Sequence, residues 1–138
     1  MAAYQKFNAF TEHVAEKVHN LGADSLVVFL CNTAPTASNS ILSDLTQISY
    51  TNLSSRAITI TSSAQTSGVY KLVLVDVVLT ASGGSVGPFR YPGVYNDTPT
   101  SPADPLIGFF DYGSSITLLD GETFTLDFDG TGGFLTIT

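Results

Sequence analysis

The amino-acid sequence predicts a mainly β fold: a single antiparallel β-sandwich or small barrel, jelly-roll-like, preceded by an N-terminal amphipathic α-helix. After residue 22, apolar residues occur in short runs separated by clusters of Gly, Pro, Asn and Ser, which is typical of strands joined by turns. Residues 123–129 alternate apolar and polar side chains with the period of a half-buried strand. A chain of 138 residues has the length of one domain, so we expect residues 1–22 to form a helix or arm and residues 23–138 to form the β-sandwich body.

Residues 4–21 show the spacing of an amphipathic helix. Apolar side chains recur at steps of three and four positions, and polar residues fill the rest of the helical wheel. The apolar positions are Tyr4, Phe7, Phe10, Val14, Val18 and Leu21. Gly22 follows the last of them and can adopt the left-handed conformation of a helix cap. The pattern predicts a helix over residues 4–21, long enough to lie across a sheet or to reach a neighbouring subunit.

The first half of the body contains three predicted strands. Residues 25–31 are a compact apolar run, and the Pro, Asn and Ser content of residues 32–40 indicates a loop. Residues 41–48 fit either a short helix or a capped turn. Residues 56–61 have the composition of a strand, and residues 69–81 are apolar on both faces, which predicts a strand in the centre of a sheet.

The second half is a series of short strands and turns. The predicted strands are residues 87–97, 106–113, 115–119, 123–128 and 134–138, with a proline-rich loop over residues 98–105. The dipeptide Asp120-Gly121 is a strong hairpin signal between two of these strands. In the strand that follows it, Phe124, Leu126 and Phe128 are expected to face the core.

Composition and charge exclude several classes of function. The net charge is −7, and the chain from Tyr91 onward contains seven acids and no base, so binding to a phosphate backbone is disfavoured and no nucleic-acid partner is expected. A basic protein partner would suit this charge. The longest apolar stretches, residues 26–31 and 72–79, are far shorter than the roughly 20 residues of a membrane span, so no membrane partner is expected either. A single cysteine and the lack of a signal-peptide pattern favour folding in a reducing cytoplasm.

An acidic cluster near the C-terminus is the sharpest candidate for chemistry. It consists of Asp120, Glu122, Asp127 and Asp129. Carboxylates that alternate along a strand can bind calcium, but their spacing does not match an EF-hand, and turn formation with a solvated strand face explains them more simply. A glycosidase acid and base pair using Asp127 or Asp129 is a weaker alternative, because the sequence has no Trp and no evident aromatic platform for sugar. We therefore expect no metal and no cofactor.

Other reactive side chains do not form a recognisable catalytic set. His13 and His19 are six residues apart, which on a continuous helix places them on different faces and argues against a shared metal. No serine lies in a GxSxG motif. Cys31 follows an apolar run and is expected to be a small buried hydrophobe. No catalytic residue is therefore assigned, and the sequence predicts a protein that is not an enzyme.

Two segments contain more aromatic residues than packing of the domain core alone explains. One is the predicted helix and the other is residues 89–96, and buried protein contacts favour Tyr, Phe and Arg as anchors. The candidate protein-contact residues are Tyr4, Phe7, Phe10, Phe89, Arg90, Tyr91 and Tyr95. The alternative is that these side chains pack within their own domain.

Three stretches of the sequence together resemble a family of small virion structural proteins of tailed bacteriophages. They are YQKFNAFTEHVAEKVHNL (residues 4–21), VVFLCNTAPTASNS leading into ILSDLTQIS (residues 27–49), and residues 87–138, which begin GPFRYPGVYN and end GGFLTIT. The resemblance covers nearly the whole chain. It implies a structural role on the particle, without a cofactor or active site, for a protein made in the cytoplasm of the bacterial host.

Within that family the resemblance favours a capsid decoration, or cement, protein on the capsid surface. Such proteins are implied to bind as homotrimers over junctions between subunits of the major capsid protein, with a β body on the shell and an arm that reinforces neighbours. We accordingly expect that removing residues 1–20 weakens attachment more than it unfolds the body. The alternative is a tail-associated or fibre component that binds a host surface glycan through residues 35–40 and 99–105.

Overall fold

The computed structural model describes residues 2–138 and confirms the mainly β prediction. One helix, α1, spans Asn8–Ala15, and a 3₁₀ turn spans Leu42–Asp44. The strands are β1 Gln5–Lys6, β2 Leu26–Cys31, β3 Ile60–Thr66, β4 Val69–Leu74, β5 Val77–Thr80, β6 Val86–Phe89, β7 Tyr91–Asn96, β8 Leu106–Phe109, β9 Ile116–Leu118, β10 Thr123–Leu126 and β11 Leu135–Ile137. No helix in this part of the chain is long and apolar enough to cross a membrane.

The strands form antiparallel sheets. A four-stranded sheet has the order β1-β8-β7-β2, a three-stranded sheet has the order β11-β4-β3, and two further pairs are β10-β5 and β6-β9. None of the sheets formed by residues 2–138 is closed. Antiparallel pairing is therefore established, whereas the jelly-roll-like sandwich or barrel stays a prediction.

Strand β2 is buried on both faces, which explains why its sequence is an uninterrupted apolar run. Val28 and Leu30 belong to the main core, together with residues of β4 and β5, whereas the alternate residues Phe29 and Cys31 belong to a second cluster. The second cluster contains Phe7 and is flanked by Leu42 and Leu45. The long connection after β2 therefore covers the far face of the four-stranded sheet.

The N-terminal helix is shorter than predicted. Residues 4–21 do not form one rod, because Gln5–Lys6 pairs with β8 as strand β1 and α1 ends at Ala15. The helix stops in a left-handed cap at Lys17, with φ of 66°: the N–H of Lys17 donates to the carbonyl of Val14, and the N–H of Val18 donates to the carbonyl of His13. The predicted cap at Gly22 was therefore wrong by five residues.

This N-terminal segment is also part of the β body and not a detachable arm. Phe7 is completely buried in the second core cluster, and Phe10 is buried in the main core. The N–H of Phe7 donates to the carbonyl of Ile107, and the N–H of Asn8 donates to the carbonyl of Ala37. Such packing argues against the expectation that residues 1–20 can be removed without unfolding the body.

Four strand predictions differ from the structure. The strand predicted over residues 87–97 is two strands, β6 and β7, which separate at Arg90 and belong to different sheets. Residues 69–81 form two strands, because the chain breaks at Val75 and Asp76, where a carboxylate oxygen of Asp76 accepts the N–H of Phe128. The strand predicted over residues 56–61 starts only at Ile60 and runs on to Thr66. The Asp120-Gly121 turn forms, but β9 pairs with β6 and β10 pairs with β5, so the predicted hairpin ladder was wrong.

Other sequence predictions are confirmed. Residues 41–48 contain a capped turn, in which Asp44 accepts the N–H groups of Ser40 and Ile41. These two hydrogen bonds lower the pKa of Asp44. In β10 and the residue pair after it, Leu126 and Phe128 are buried while their odd-numbered neighbours are exposed, as the alternation predicts.

Candidate functional site

The structure divides the predicted contact residues into two groups. Four of them are buried within their own chain and support its cores: Phe7, Phe10, Phe89 and Tyr95. Their burial corrects their proposed role, because a side chain already enclosed by its own domain cannot anchor a partner. Tyr4, Arg90 and Tyr91 remain partly exposed.

Tyr4 serves mainly as internal packing. Its ring lies against the backbone of Gly108 and contacts the edge of Phe134, with ring centroids 5.1 Å apart. Its hydroxyl donates to the carbonyl of Ile107 at 3.4 Å, and burial raises its pKa. Of the predicted set, only Arg90 and Tyr91 therefore stay available at the surface.

Arg90 forms an ion pair with Asp111 next to an apolar depression. Its Nε donates to Oδ1 of Asp111 at 2.7 Å, and its Nη2 donates to Oδ2 of the same carboxylate at 3.1 Å. This two-pronged bond, with the N–H of Gly113, holds the pKa of Asp111 below its usual range. Because Arg90 joins β6 to β7 and Asp111 follows β8, the ion pair orients the residues after β8 against β7.

The depression beside this ion pair is lined by aromatic residues, and we call it the aromatic groove. It is lined by Ala2, Pro92, Phe110, Tyr112, Phe124, Thr125, Leu126 and Asp127, and its volume is about 150 Å³. Tyr112 is 50% exposed and meets the edge of Phe124 with ring centroids 5.3 Å apart. Phe124 rests in turn on the buried ring of Phe89, edge to face, at 5.2 Å.

Size and lining decide what the aromatic groove can bind. Pockets for drug-sized ligands usually enclose about 300–1,000 Å³, so this groove suits a single inserted side chain or the apolar face of one sugar ring. Strand β10 contributes Phe124, Thr125 and Leu126 to the lining, and within residues 2–138 it pairs only with β5. Asp127 adds one carboxylate to the lining. The site can therefore offer aromatic surface, strand-edge groups and a negative charge, and this combination suits recognition of an apolar, positively flanked partner.

The acidic cluster is dispersed by the fold. Asp120 accepts the N–H of Gly83 at 3.0 Å, Glu122 accepts the N–H of Leu119 at 2.7 Å, and Asp129 accepts the N–H groups of Thr131 and Gly132. The bonds to Asp129 lower its pKa. These carboxylates shape turns, and Asp127 alone of the four lines the aromatic groove. In the part of the chain that the structure describes, no three His, Cys, Asp or Glu side chains are grouped so as to hold a metal ion.

The two histidines lie close together, contrary to the prediction. Their ring centroids are 5.9 Å apart, because α1 ends at Ala15 and the chain turns back before His19. Nδ1 of His19 accepts a hydrogen bond from the amide nitrogen of Asn96 at 3.0 Å. Within residues 2–138, Nδ1 of His13 and Nε2 of His19 are both buried without a hydrogen-bond partner.

The surroundings of Asn96 determine the proton position on His19. The amide nitrogen of Asn96 also donates to Asp24 at 2.7 Å, while its oxygen accepts the N–H of Thr98 at 3.1 Å, so the amide cannot be reversed. Nδ1 of His19 must then be the acceptor, and Nε2 carries the proton. A ring nitrogen that carries a proton cannot ligate a metal, so the closeness of the two rings does not make a metal site. Burial lowers the pKa of His19 to about 4.

Cys31 occupies the second core cluster as predicted. Its side chain is fully buried, and burial raises its pKa to about 11, so at neutral pH it is a thiol and not a reactive thiolate.

Sequence reasoning missed the residues that build the aromatic groove. Phe110 and Tyr112 belong to one segment and Phe124 to another, and the two segments meet only in the folded chain. One signal was present: residues 109–112 read FFDY, a run whose consecutive aromatic residues break strand alternation and place one ring on each face. Comparison of this chain with protein-family models, with curated proteins and with solved structures gave no match.

Proposed function

We propose that this protein is a structural virion component that decorates and stabilises the capsid shell of a tailed bacteriophage by binding over junctions between major capsid subunits. The observation that carries the proposal is the resemblance of residues 4–21, 27–49 and 87–138 to small virion proteins of such phages. The low content of charged residues, 12% of the chain, suits extended contacts between proteins. The proposal includes a two-layer, jelly-roll-like arrangement of the sheets and a position on the capsid surface.

The aromatic groove is the proposed contact with the shell. It accepts one apolar side chain of the major capsid protein against the contacting rings of Tyr112 and Phe124, and Asp127 favours a basic residue beside that anchor. The net charge of −7 favours a basic partner surface in the same way. The contact would therefore combine a buried aromatic anchor with a charged rim.

Binding to isolated shells tests this proposal. Tyr112→Ala removes half-exposed aromatic surface from the groove, and we expect it to lower the affinity for capsid shells at least about tenfold, the effect of losing an anchor worth about 1–2 kcal/mol. Leu119→Ala is the matched control, because Leu119 is 61% exposed and lies outside the groove. Equal binding by both variants and the original protein would contradict the groove contact.

Copy number tests the wider proposal. A protein that covers capsid junctions is present in stoichiometric amounts on the head, and gel densitometry of purified virions measures this directly. Only a few copies per particle, or recovery with tails and not with heads, would contradict capsid decoration.

A tail-associated protein that binds a host glycan is the second candidate. Tyr112 favours it, because a half-exposed aromatic ring can stack on a sugar face and the nearby Asp127 can accept hydroxyl hydrogen bonds. The loops of residues 35–40 and 99–105 remain the other candidate contact edge. Binding of the isolated protein to a glycan array, lost in Tyr112→Ala, together with its absence from tail-less heads, would favour this function over capsid decoration.

A further inference from the structure

Strand β3 is a long sheet edge with little protection against pairing. It spans Ile60–Thr66, is the longest strand among residues 2–138, and pairs only with β4. Ala64, Gln65 and Thr66 are all exposed, and within residues 2–138 no bridge or backbone hydrogen bond joins another segment to the outer edge of residues 62–66. Free N–H and C=O groups along such an edge are a template for pairing with another strand.

Proteins usually protect a sheet edge, and the other edges of this chain are short or covered. Strand β1 has two residues, one of them Lys6, and β6 contains Pro88. The outer edge of β2 is bridged by Ala57 and Gln47. Strand β3, with the sequence ITSSAQT, has neither charge nor proline. Its one protective feature is the irregularity between Ile60 and Ser62, which leaves residues 62–66 as the regular stretch.

The chemistry of this stretch matches a second copy of itself. An antiparallel pair centred on Ala64 places Ala64 opposite Ala64, Ser63 opposite Gln65 and Ser62 opposite Thr66, so no like charges meet. Two copies that each carry a net charge of −7 repel one another over most of their surface, and a neutral edge is where they can approach. The nearest charge in the hairpin is Lys71, whose Nζ donates to the carbonyl of Thr131 at 2.8 Å.

We propose that two copies of this chain associate by antiparallel pairing of residues 62–66 of β3 across a two-fold axis. The pairing is self-complementary and closed, so it yields a dimer and not a fibre. Five residues of strand are a small interface, well below the roughly 1,200 Å² of stable complexes, so the dissociation constant is expected in the range of about 10–1,000 μM. This pairing does not depend on the proposed function.

Sedimentation equilibrium of the full chain over a concentration series tests the proposal with a pair of matched variants. Ala64→Glu puts two carboxylates face to face at the two-fold axis, while Lys71, the cross-strand neighbour of Ala64, stabilises the new side chain within each monomer. Thr136→Glu is the control, because Thr136 is exposed and faces the same Lys71 from the opposite edge of the sheet. Both variants have the same net charge.

We expect the original protein and Thr136→Glu to approach the mass of two chains at high concentration, and Ala64→Glu to bind itself at least about tenfold more weakly. A single-chain mass for the original protein at every concentration would overturn the proposal. So would equal association of Ala64→Glu, equal loss in both variants, or a mass of three chains, which would favour the trimer that the resemblance implies.

Disulfide cross-linking gives a second readout that does not rely on charge. Directly opposed residues of antiparallel strands have Cβ atoms about 4.5–5.5 Å apart, close enough for a disulfide with a small adjustment. Ala64→Cys should cross-link into dimers under mild oxidation and Thr136→Cys should not, while the buried Cys31 does not contribute. Cross-linking of both variants alike, or of neither, would contradict the pairing.

Discussion

Two glycines of the four-stranded sheet lie directly beneath aromatic rings. Gly93 is the cross-strand partner of Phe29, whose ring covers it, and the ring of Tyr4, just before β1, covers Gly108. A side chain at either position would occupy the space that the ring fills. The two residues thus show how a missing side chain on one strand allows a large one on the next to pack flat against the sheet.

Replacing Gly93 by alanine should therefore destabilise the protein. The added Cβ would overlap the ring of Phe29, and displacing a buried ring typically costs about 1–3 kcal/mol of unfolding free energy. Denaturant unfolding measures the change. Gly130→Ala is the control, because a Cβ atom added at Gly130 meets no heavy atom within 4 Å, and this variant should stay near the original stability. A Gly93→Ala protein as stable as Gly130→Ala would show that the ring moves freely.

At the scale of secondary-structure elements, the sequence predicted the turn at Asp120-Gly121 correctly but not which strands pair on either side of it. Asp120-Gly121 does form a tight turn, with the N–H of Glu122 donating to the carbonyl of Leu119. The flanking strands nevertheless join different sheets, because β9 and β10 find partners far away in sequence. The helix prediction failed in a similar way, since Gln5–Lys6 gains more by pairing with β8 than by extending α1.

The N-terminal element should consequently matter for stability. Phe7→Ala removes a fully buried ring that contacts Phe109 at a centroid distance of 5.1 Å, and we expect a loss of about 3–5 kcal/mol of unfolding free energy. Thermal unfolding measures it, with Glu12→Ala on the exposed face of α1 as the control. An unchanged melting temperature for Phe7→Ala would restore the idea of a separable arm.

At the scale of the whole molecule, one polar network links the N-terminal segment to the four-stranded sheet. His19 and Asp24 precede β2 and Asn96 ends β7, and their side chains meet in a partly buried cluster next to His13. His13 and Asp24 are the charged or titratable groups that act on His19, the first opposing its protonation and the second favouring it less strongly than burial opposes it. The network therefore favours the neutral form of the His19 imidazole.

The stability of the protein should fall in mild acid for this reason. The pKa of His19 is about 4 in the folded chain and about 6.5 in an unfolded chain. Between these two pH values the unfolded state binds more protons than the folded state. The free energy of unfolding therefore decreases as the pH falls from 6.5 to 4. The full shift corresponds to about 3 kcal/mol, and we expect a loss on the order of 2 kcal/mol in unfolding free energy against pH, because water screens part of the interaction. His19→Gln, whose amide oxygen can still accept from Asn96, should show a flatter profile over this range. An equally steep profile in the variant would assign the acid sensitivity to other groups.

The sequence by itself determined the fold class, the main apolar strands, and the inward direction of Leu126 and Phe128. These features follow from local periodicity, because a half-buried strand has one face in the core and one in water. It also indicated correctly that Cys31 is buried. Only the tertiary structure decided which strands pair, where α1 ends, that the two histidines meet, and that Phe110, Tyr112 and Phe124 form one groove. Those features depend on contacts between residues far apart in the chain, and a local sequence pattern does not predict the free energy of such contacts.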